Sequence, residues 1–177
     1  MRVFFAFELN NEDKEYMLTI QNKMKVTINS GNLTGKNNFH ITLRFIGEIN
    51  EEKIGSLIEV LDDIAANTKP LTLNLNKIGM FDKKGKKIIW IGSESNEMLN
   101  DIYIDLEKLI INKNFKKEDK VFLPHITLVR SARIKDCKDI ELIDIHKEIK
   151  ISSISLMESK RVEGVLRYIP IAKRTLI

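Results

Sequence analysis

Two stretches decide how this chain folds: Phe39-His40-Ile41-Thr42-Leu43-Arg44-Phe45-Ile46-Gly47 and Pro124-His125-Ile126-Thr127-Leu128-Val129-Arg130. Each contains the phrase His-Ile-Thr-Leu. Successive side chains of a strand point to opposite faces. His40 and Thr42 therefore share one face, as do His125 and Thr127, while Ile41, Leu43, Ile126 and Leu128 anchor each strand in a core. Outward from these strands the surroundings match as well. His40 follows Phe4, and His125 follows Ile89, by the same 36 residues.

The intervening segments repeat in order. Arg2 to Leu9 alternates as a strand. Asn10 or Asn11 can cap a helix with Glu12 and Asp13 in its first turn and Met17, Ile20, Met24 and Ile28 at helical spacing. Asn29 to Asn38 reads as a polar loop. After the strand Phe39 to Gly47, Asn50 opens a helix striped by Ile54, Leu57, Ile58, Leu61, Ile64 and Ala65. Leu71 to Asn76 alternates as a strand. In the second half a basic turn at Lys83-Lys84-Gly85 precedes a strand at Lys86 to Gly92. A helix from about Ser95 to Ile111 follows, then a strand at Phe122 to Val129, a shorter helix near Asp136 to His146, and strands at Ile149 to Met157 and Val165 to Ala172. Element order, offset and phrase agree, which predicts an internal duplication with approximate repeats 2–80 and 86–158 inside one bilobal domain, 1–177. The expected class is α+β: two pseudo-symmetric lobes, each a mainly antiparallel sheet with helices on its outer face, around a central cleft.

Composition sets bounds. The chain has 177 residues, 43% hydrophobic and 31% charged, enough to build a core and too apolar for wholesale disorder. Lys plus Arg number 29 against 25 acidic residues, a net +4 that permits a phosphate-bearing partner without requiring one. One cysteine, Cys137, excludes an intrachain disulfide framework and a thiolate metal cluster. Apolar runs such as Ile88 to Ile91 fall far below the ~18 residues that span a bilayer. The opening turns acidic at Glu8, too early for a secretory segment. The expectation is a cytoplasmic protein, monomeric and away from membranes.

If the two lobes face one another, both imidazoles and both hydroxyls border one pocket. Imidazoles with a pKa near ~6.5 suit a base on one side and an acid on the other. Threonine hydroxyls suit nonbridging phosphate oxygens. The set fits a phosphodiester whose leaving group is a sugar oxygen. Other chemistries have less support. His146, among Asp144, Lys147 and Glu148, reads as a solvated surface residue rather than a metal ligand. Cys137 has no activating neighbour, and Gly31 to Gly35 lacks the Gly-Lys-Ser/Thr ending of a phosphate loop.

These residues resemble the 2H phosphoesterase family, and within it the RNA 2′,3′-cyclic phosphodiesterases once called 2′-5′ RNA ligases. The likeness extends from Arg2-Val3-Phe4-Phe5-Ala6-Phe7 through both histidine motifs and Ile89-Trp90-Ile91-Gly92 to the tail, Ile154 to Ile171, with Gly164 and Arg167-Tyr168 in place. The resemblance implies hydrolysis of a 2′,3′-cyclic phosphate to a 2′-phosphomonoester without metal or other cofactor. It implies His40 as general acid, His125 as general base, and Thr42, Thr127 and Arg130 as phosphate ligands. Arg130 lies an odd number of residues from His125, so reaching the pocket requires a bulge or a strand end just after Leu128; failing that, it is a surface cation. Arg44 shares parity with His40 and Thr42, which opens a cleft role to it.

RNA ends or cyclic nucleotides are the expected partners. Lys83, Lys84, Lys86 and Lys87, then Lys113, Lys116 and Lys117, then Arg130, Arg133 and Lys135 form basic clusters, of which the first two read as solvated surface. Tyr168 is a candidate base-stacking platform, while Phe39, Phe45 and Trp90 read as core. Two rivals stay open: 2′-5′ ligation by the reverse chemistry, and a noncatalytic RNA-end binder.

Overall fold

The computed structural model describes residues 1–94 and 96–177. Strand β1 (Arg2–Glu8) is buried along nearly its whole length. Asn10 caps α1 (Asn11–Met24), its side chain accepting from the Asp13 amide at 2.8 Å. Such a cap contributes about 1 kcal/mol, with Glu12 and Asp13 favourable at the positive end of the helix dipole. Then come β2 (Ile28–Leu33), β3 (His40–Glu48), α2 (Ile54–Ala66), β4 (Leu71–Leu75), β5 (Lys77–Lys83) and β6 (Lys86–Gly92). Helix α3 (Glu97–Asn112), β7 (His125–Ile134), α4 (Cys137–Glu141), β8 (Lys147–Ile151), β9 (Ser153–Val162) and β10 (Val165–Thr175) complete the chain. The expected start of the third helix at Ser95 lies outside the described residues; Asn96 caps it, accepting from the Leu99 amide at 2.9 Å.

All sheets are antiparallel. One has four strands in the order β10–β9–β1–β3, a second the order β2–β7–β6–β5, and β4 pairs with β8 in a third. Each four-stranded sheet draws from both halves of the chain, because β2 joins the second-half sheet and β9 and β10 join β1. The helices follow the same crossing: α1 packs against β7, α2 against β9 and β10, and α3 against α2 and β3. One contiguous core runs through all of them, from Phe5 and Phe7 to Leu57, Ile89, Leu106, Ile126 and Leu156.

Several elements depart from the sequence expectation. Segment 28–33 is a strand rather than a loop, and Ile28 belongs to it rather than to the stripe of α1. Its side chains are mostly exposed, so an edge strand carries no alternation to read. Gly31 lets it approach β7: a Cβ there would lie 2.9 Å from a Val129 methyl. Strand β5 precedes the Lys83-Lys84-Gly85 turn, whose positive φ at Lys84 and Gly85 makes a tight hairpin. The expected strand 149–157 is two strands in different sheets, β8 and β9, and the expected helix 136–146 shrinks to five residues.

The feature that most affects the site is a bulge. Phe5 pairs with Arg44 and Ala6 with Thr42, leaving Leu43 as an extra residue in β3. Ile89 pairs with Val129 and Trp90 with Thr127, leaving Leu128 extra in β7. It is the same leucine of His-Ile-Thr-Leu both times. Beyond each bulge the alternation of faces is reversed.

Candidate active site

Pairing partners across a sheet share a face, which fixes what surrounds each histidine. On the first sheet His40, Thr42, Phe4, Ala6, Glu8, Met157 and Tyr168 face the same way. The His40 ring lies 5.1 Å from Phe4 and 4.8 Å, edge-on, from Tyr168. On the second sheet His125, Thr127, Gly92, Trp90, Gly79 and Phe81 do so. The His125 ring lies 5.1 Å from Phe81, again edge-on, and 5.9 Å from Trp90. Trp90 is buried, as expected, but on this polar face. It lies flat over Gly79, where a Cβ would come within 2.1 Å of the indole.

Both rings are pinned alike. His40 Nδ1–H donates to the Asn38 carbonyl at 2.7 Å, and His125 Nδ1–H to the Leu123 carbonyl at 2.7 Å. A carbonyl only accepts, so Nδ1 holds the proton and Nε2 of each neutral ring presents its lone pair. In His40 that nitrogen meets Thr42 Oγ1 at 2.9 Å. Asn38 is fixed in turn, its side chain donating to the Leu166 carbonyl at 2.9 Å and accepting from the Tyr168 amide at 3.2 Å.

Burial holds the His40 imidazolium down to a pKa of about 4, with the positive charges of Arg130 and His125 acting in the same direction. The Asn38 carbonyl and the Glu8 carboxylate oppose it. Burial and Arg130 lower His125 as well, against the Leu123 carbonyl. Each ring thus feels Arg130, and His40 feels His125, while the two histidine strands β3 and β7 are in contact. At neutral pH both rings are neutral.

The leucine bulges settle the two arginines. After Leu128 the alternation reverses and Arg130, exposed on β7, comes to act on both imidazoles. The bulge that lets it reach the pocket is present. In β3 the same reversal turns Arg44 away from the cleft and corrects that expectation. Arg44 is 5% exposed and pairs with Phe5 on the core side. Its Nε donates to Glu107 at 2.5 Å, and further N–H groups reach the carbonyls of Phe45 and Lys116. It ties the 116–118 loop to β3. Phe45, expected in the core, is half-exposed instead, with the Arg2 guanidinium 4.8 Å above its ring.

The other candidates sort by neighbourhood. Lys83, Lys84, Lys86 and Lys87 line, with Arg130 and Ser131, a pocket of about 400 Å³. Lys113 pairs with Glu59 and Lys116 with Asp119 on the surface. His146 is exposed beside Asp144. A groove of about 620 Å³ starts at Tyr168 and Asn38 and runs between residues 32–38 and the β9–β10 hairpin, with Arg130 on its inner side. Among the described residues no cluster of His, Cys, Asp and Glu could hold a metal, and no helix is long and apolar enough to cross a membrane. Sequence reasoning missed Phe4, Phe81, Asn38 and Glu8 beside the histidines. The 36-residue offset pointed near Phe4; a backbone carbonyl, which every residue has, left no signal.

Comparison with known proteins places the chain among relatives of the same fold. Residues 8–90 match the family model described as LigT like Phosphoesterase. An RNA 2′,3′-cyclic phosphodiesterase of Methanocaldococcus jannaschii is 27% identical over 168 residues, 94% of this chain and 92% of that protein. One of Thermotoga maritima is 30% identical over 131 residues, covering 73% of this chain and 70% of the relative. Among solved structures, TT0787 of Thermus thermophilus has a TM-score of 0.83 at 22% identity, covering 99% of this chain and 98% of the other. Escherichia coli LigT complexed with 3′-AMP has a TM-score of 0.78 at 24%, covering 99% and 97%. With both histidine motifs set into one α+β fold, the chain belongs to the LigT-like, or 2H, phosphoesterase family.

Proposed function

We propose that this protein hydrolyses RNA or nucleotide 2′,3′-cyclic phosphates to 2′-phosphomonoesters by general acid–base catalysis between His40 and His125. The observation that carries this reading is the matched pair of rings, each held at Nδ1 with Nε2 available and each under the charge of Arg130. The names of the relatives point to the same activity. His125 Nε2 takes a proton from water as its oxygen attacks phosphorus. The bond from phosphorus to O3′ breaks, and the imidazolium of His40 gives its Nε2 proton to O3′. The product keeps phosphate on O2′, and proton exchange with solvent restores both rings. Thr42, Thr127 and Arg130 hold the nonbridging oxygens. In this reading the repeated motifs descend from an internal duplication.

Burial in the free protein keeps both rings neutral, which suits a base and disfavours an acid. The bound phosphate anion offsets the charge of Arg130 and raises both rings, and Glu8, paired opposite His40 in the sheet, favours the His40 imidazolium. That carboxylate supports His40 as the acid. The acid limb of kcat/KM then falls below pH ~6.5, because the free protein must protonate a depressed base to lose activity.

Phosphorus NMR of a 2′,3′-cyclic mononucleotide incubated with the protein tests the reading. The expected product is the 2′-monophosphate. His40→Ala and His125→Ala should each lower turnover by ~10²–10⁴-fold, and a chelator should change nothing. Full turnover in either variant would refute the mechanism.

A further inference from the structure

We infer that the groove leaving His40 between residues 32–38 and the β9–β10 hairpin is the track for the RNA strand on the 5′ side of the reacting end, so that oligonucleotides are preferred over mononucleotides. This rests on the cyclic-phosphodiesterase reading of the site. A 2′,3′-cyclic phosphate ends its strand, and every other nucleotide lies on its 5′ side. One exit from the site is needed. The groove begins where Tyr168 packs edge-on against His40, and Asn38 links the two walls through its bonds to Leu166 and Tyr168. Its volume of about 620 Å³ falls within the ~300–1,000 Å³ of ligand pockets, room enough for a nucleotide beside the site.

The chemistry of the walls fits a single strand. Arg161 pairs with Leu166 across the hairpin, on the sheet face that carries Tyr168 and His40. Lys36 stands on the other wall, paired to Glu15, and Arg130 at the inner end. Among the described residues no carboxylate lines the groove, whereas asparagine amides at 32 and 37 offer donors and acceptors. A cationic channel with an aromatic side chain at its head is how sequence-tolerant single-strand binding works. The lysine pocket on the other side of Arg130 has no aromatic among its described lining residues, and Asp82 holds Lys87 there.

The test compares kcat/KM for a cyclic-phosphate-ended tetraribonucleotide with that for the mononucleotide. The wild type should favour the tetranucleotide by roughly tenfold or more, the scale of one stacked base. In K36Q/R161Q this ratio should fall at least threefold, with the log–log salt slope for the tetranucleotide shallower by ~0.7 per lost phosphate contact. Fluorescence anisotropy of a labelled oligoribonucleotide ending in a 2′-phosphate should show the same weakening without any turnover. A wild-type ratio near one overturns the inference, as does a ratio and affinity unchanged in K36Q/R161Q, or a loss confined to K83Q/K84Q/K86Q. Turnover of neither substrate would instead count against the hydrolase reading, and the anisotropy arm would still decide the groove.

Discussion

Arg44 and His40 lie four positions apart on one strand and differ in how far their placement could be read from sequence. His40 was legible because its phrase recurs, and recurrence at a fixed offset needs no knowledge of contacts. Arg44 followed the strand parity that places His40 and Thr42 together, and that parity fails at Leu43, where nothing in the residue types announces a bulge. Its guanidinium is instead buried against Glu107, with side-chain exposures of 6% and 10%. Removing one partner of a buried ion pair leaves an uncompensated charge, at about 3–5 kcal/mol, whereas replacing both with apolar residues is often near neutral. Arg44→Ala should therefore lower unfolding free energy in urea titration by about that amount. The double variant Arg44→Met/Glu107→Met should recover most of it. Equal losses in both would mean that the bonds to the Phe45 and Lys116 carbonyls, rather than the pair, hold the loop. On the proposed reading, in which Thr127 holds a nonbridging oxygen, Thr127→Val removes one donor and should reduce kcat/KM by ~10²-fold, the scale of an oxyanion-stabilising hydrogen bond.

At the level of elements, the amphipathic helices were readable because their apolar stripes are long and periodic, and α1, α2 and α3 stand close to where the pattern puts them. The strands β2 and β5 were not. They sit at sheet edges, where one flank has no partner and side chains mix, so neither shows a clean period of two. Edge strands nonetheless shape the site through their backbones. Thr34, just past β2, donates its amide to the Leu128 carbonyl at 2.9 Å, and Gln21 of α1 donates its side-chain amide to the same carbonyl at 2.9 Å. The bulge that redirects Arg130 is thus held from two elements of the first half. Gln21→Leu leaves that carbonyl and the Thr34 carbonyl short of a buried partner, at about 1–3 kcal/mol. On the proposed reading it should also raise KM for cyclic phosphate more than it lowers kcat, because it would loosen Arg130, the proposed phosphate cation, rather than a proton carrier. A proportional drop in both would assign Gln21 to stability alone. Gly79→Ala works from the other edge. Its methyl would sit inside the Trp90 ring, and the resulting overpacking should destabilise by about 1–3 kcal/mol.

Across the whole molecule, the exchange of strands between halves sets β2 beside the histidine strand β7, and β9 beside β1, the sheet partner of the histidine strand β3. Such pairing is invisible to local pattern, which is why the interleaving of first-half and second-half strands could not be read from the sequence. The same packing creates a coupling between acidity and stability. Burial holds His40 near a pKa of about 4, against ~6.5 for a histidine in the unfolded chain. Between those values the unfolded state binds a proton that the folded state refuses. Stability must then fall as pH drops from about 6.5 toward 4, and level off for this group below it. At ~1.4 kcal/mol per pH unit the His40 share reaches about 3 kcal/mol at pH 4. His125 is displaced in the same direction and adds a share of the same sign. Carboxylates also titrate near the lower end of that window, so the informative quantity is a difference between variants. Urea unfolding at about pH 7 and about pH 4.5 should show His40→Gln losing less stability on acidification than the wild type, and His40→Gln/His125→Gln less again. If wild type and variants lose the same amount, the imidazoles are not held neutral by the fold, and the depressed acid limb expected for catalysis would have to vanish with them.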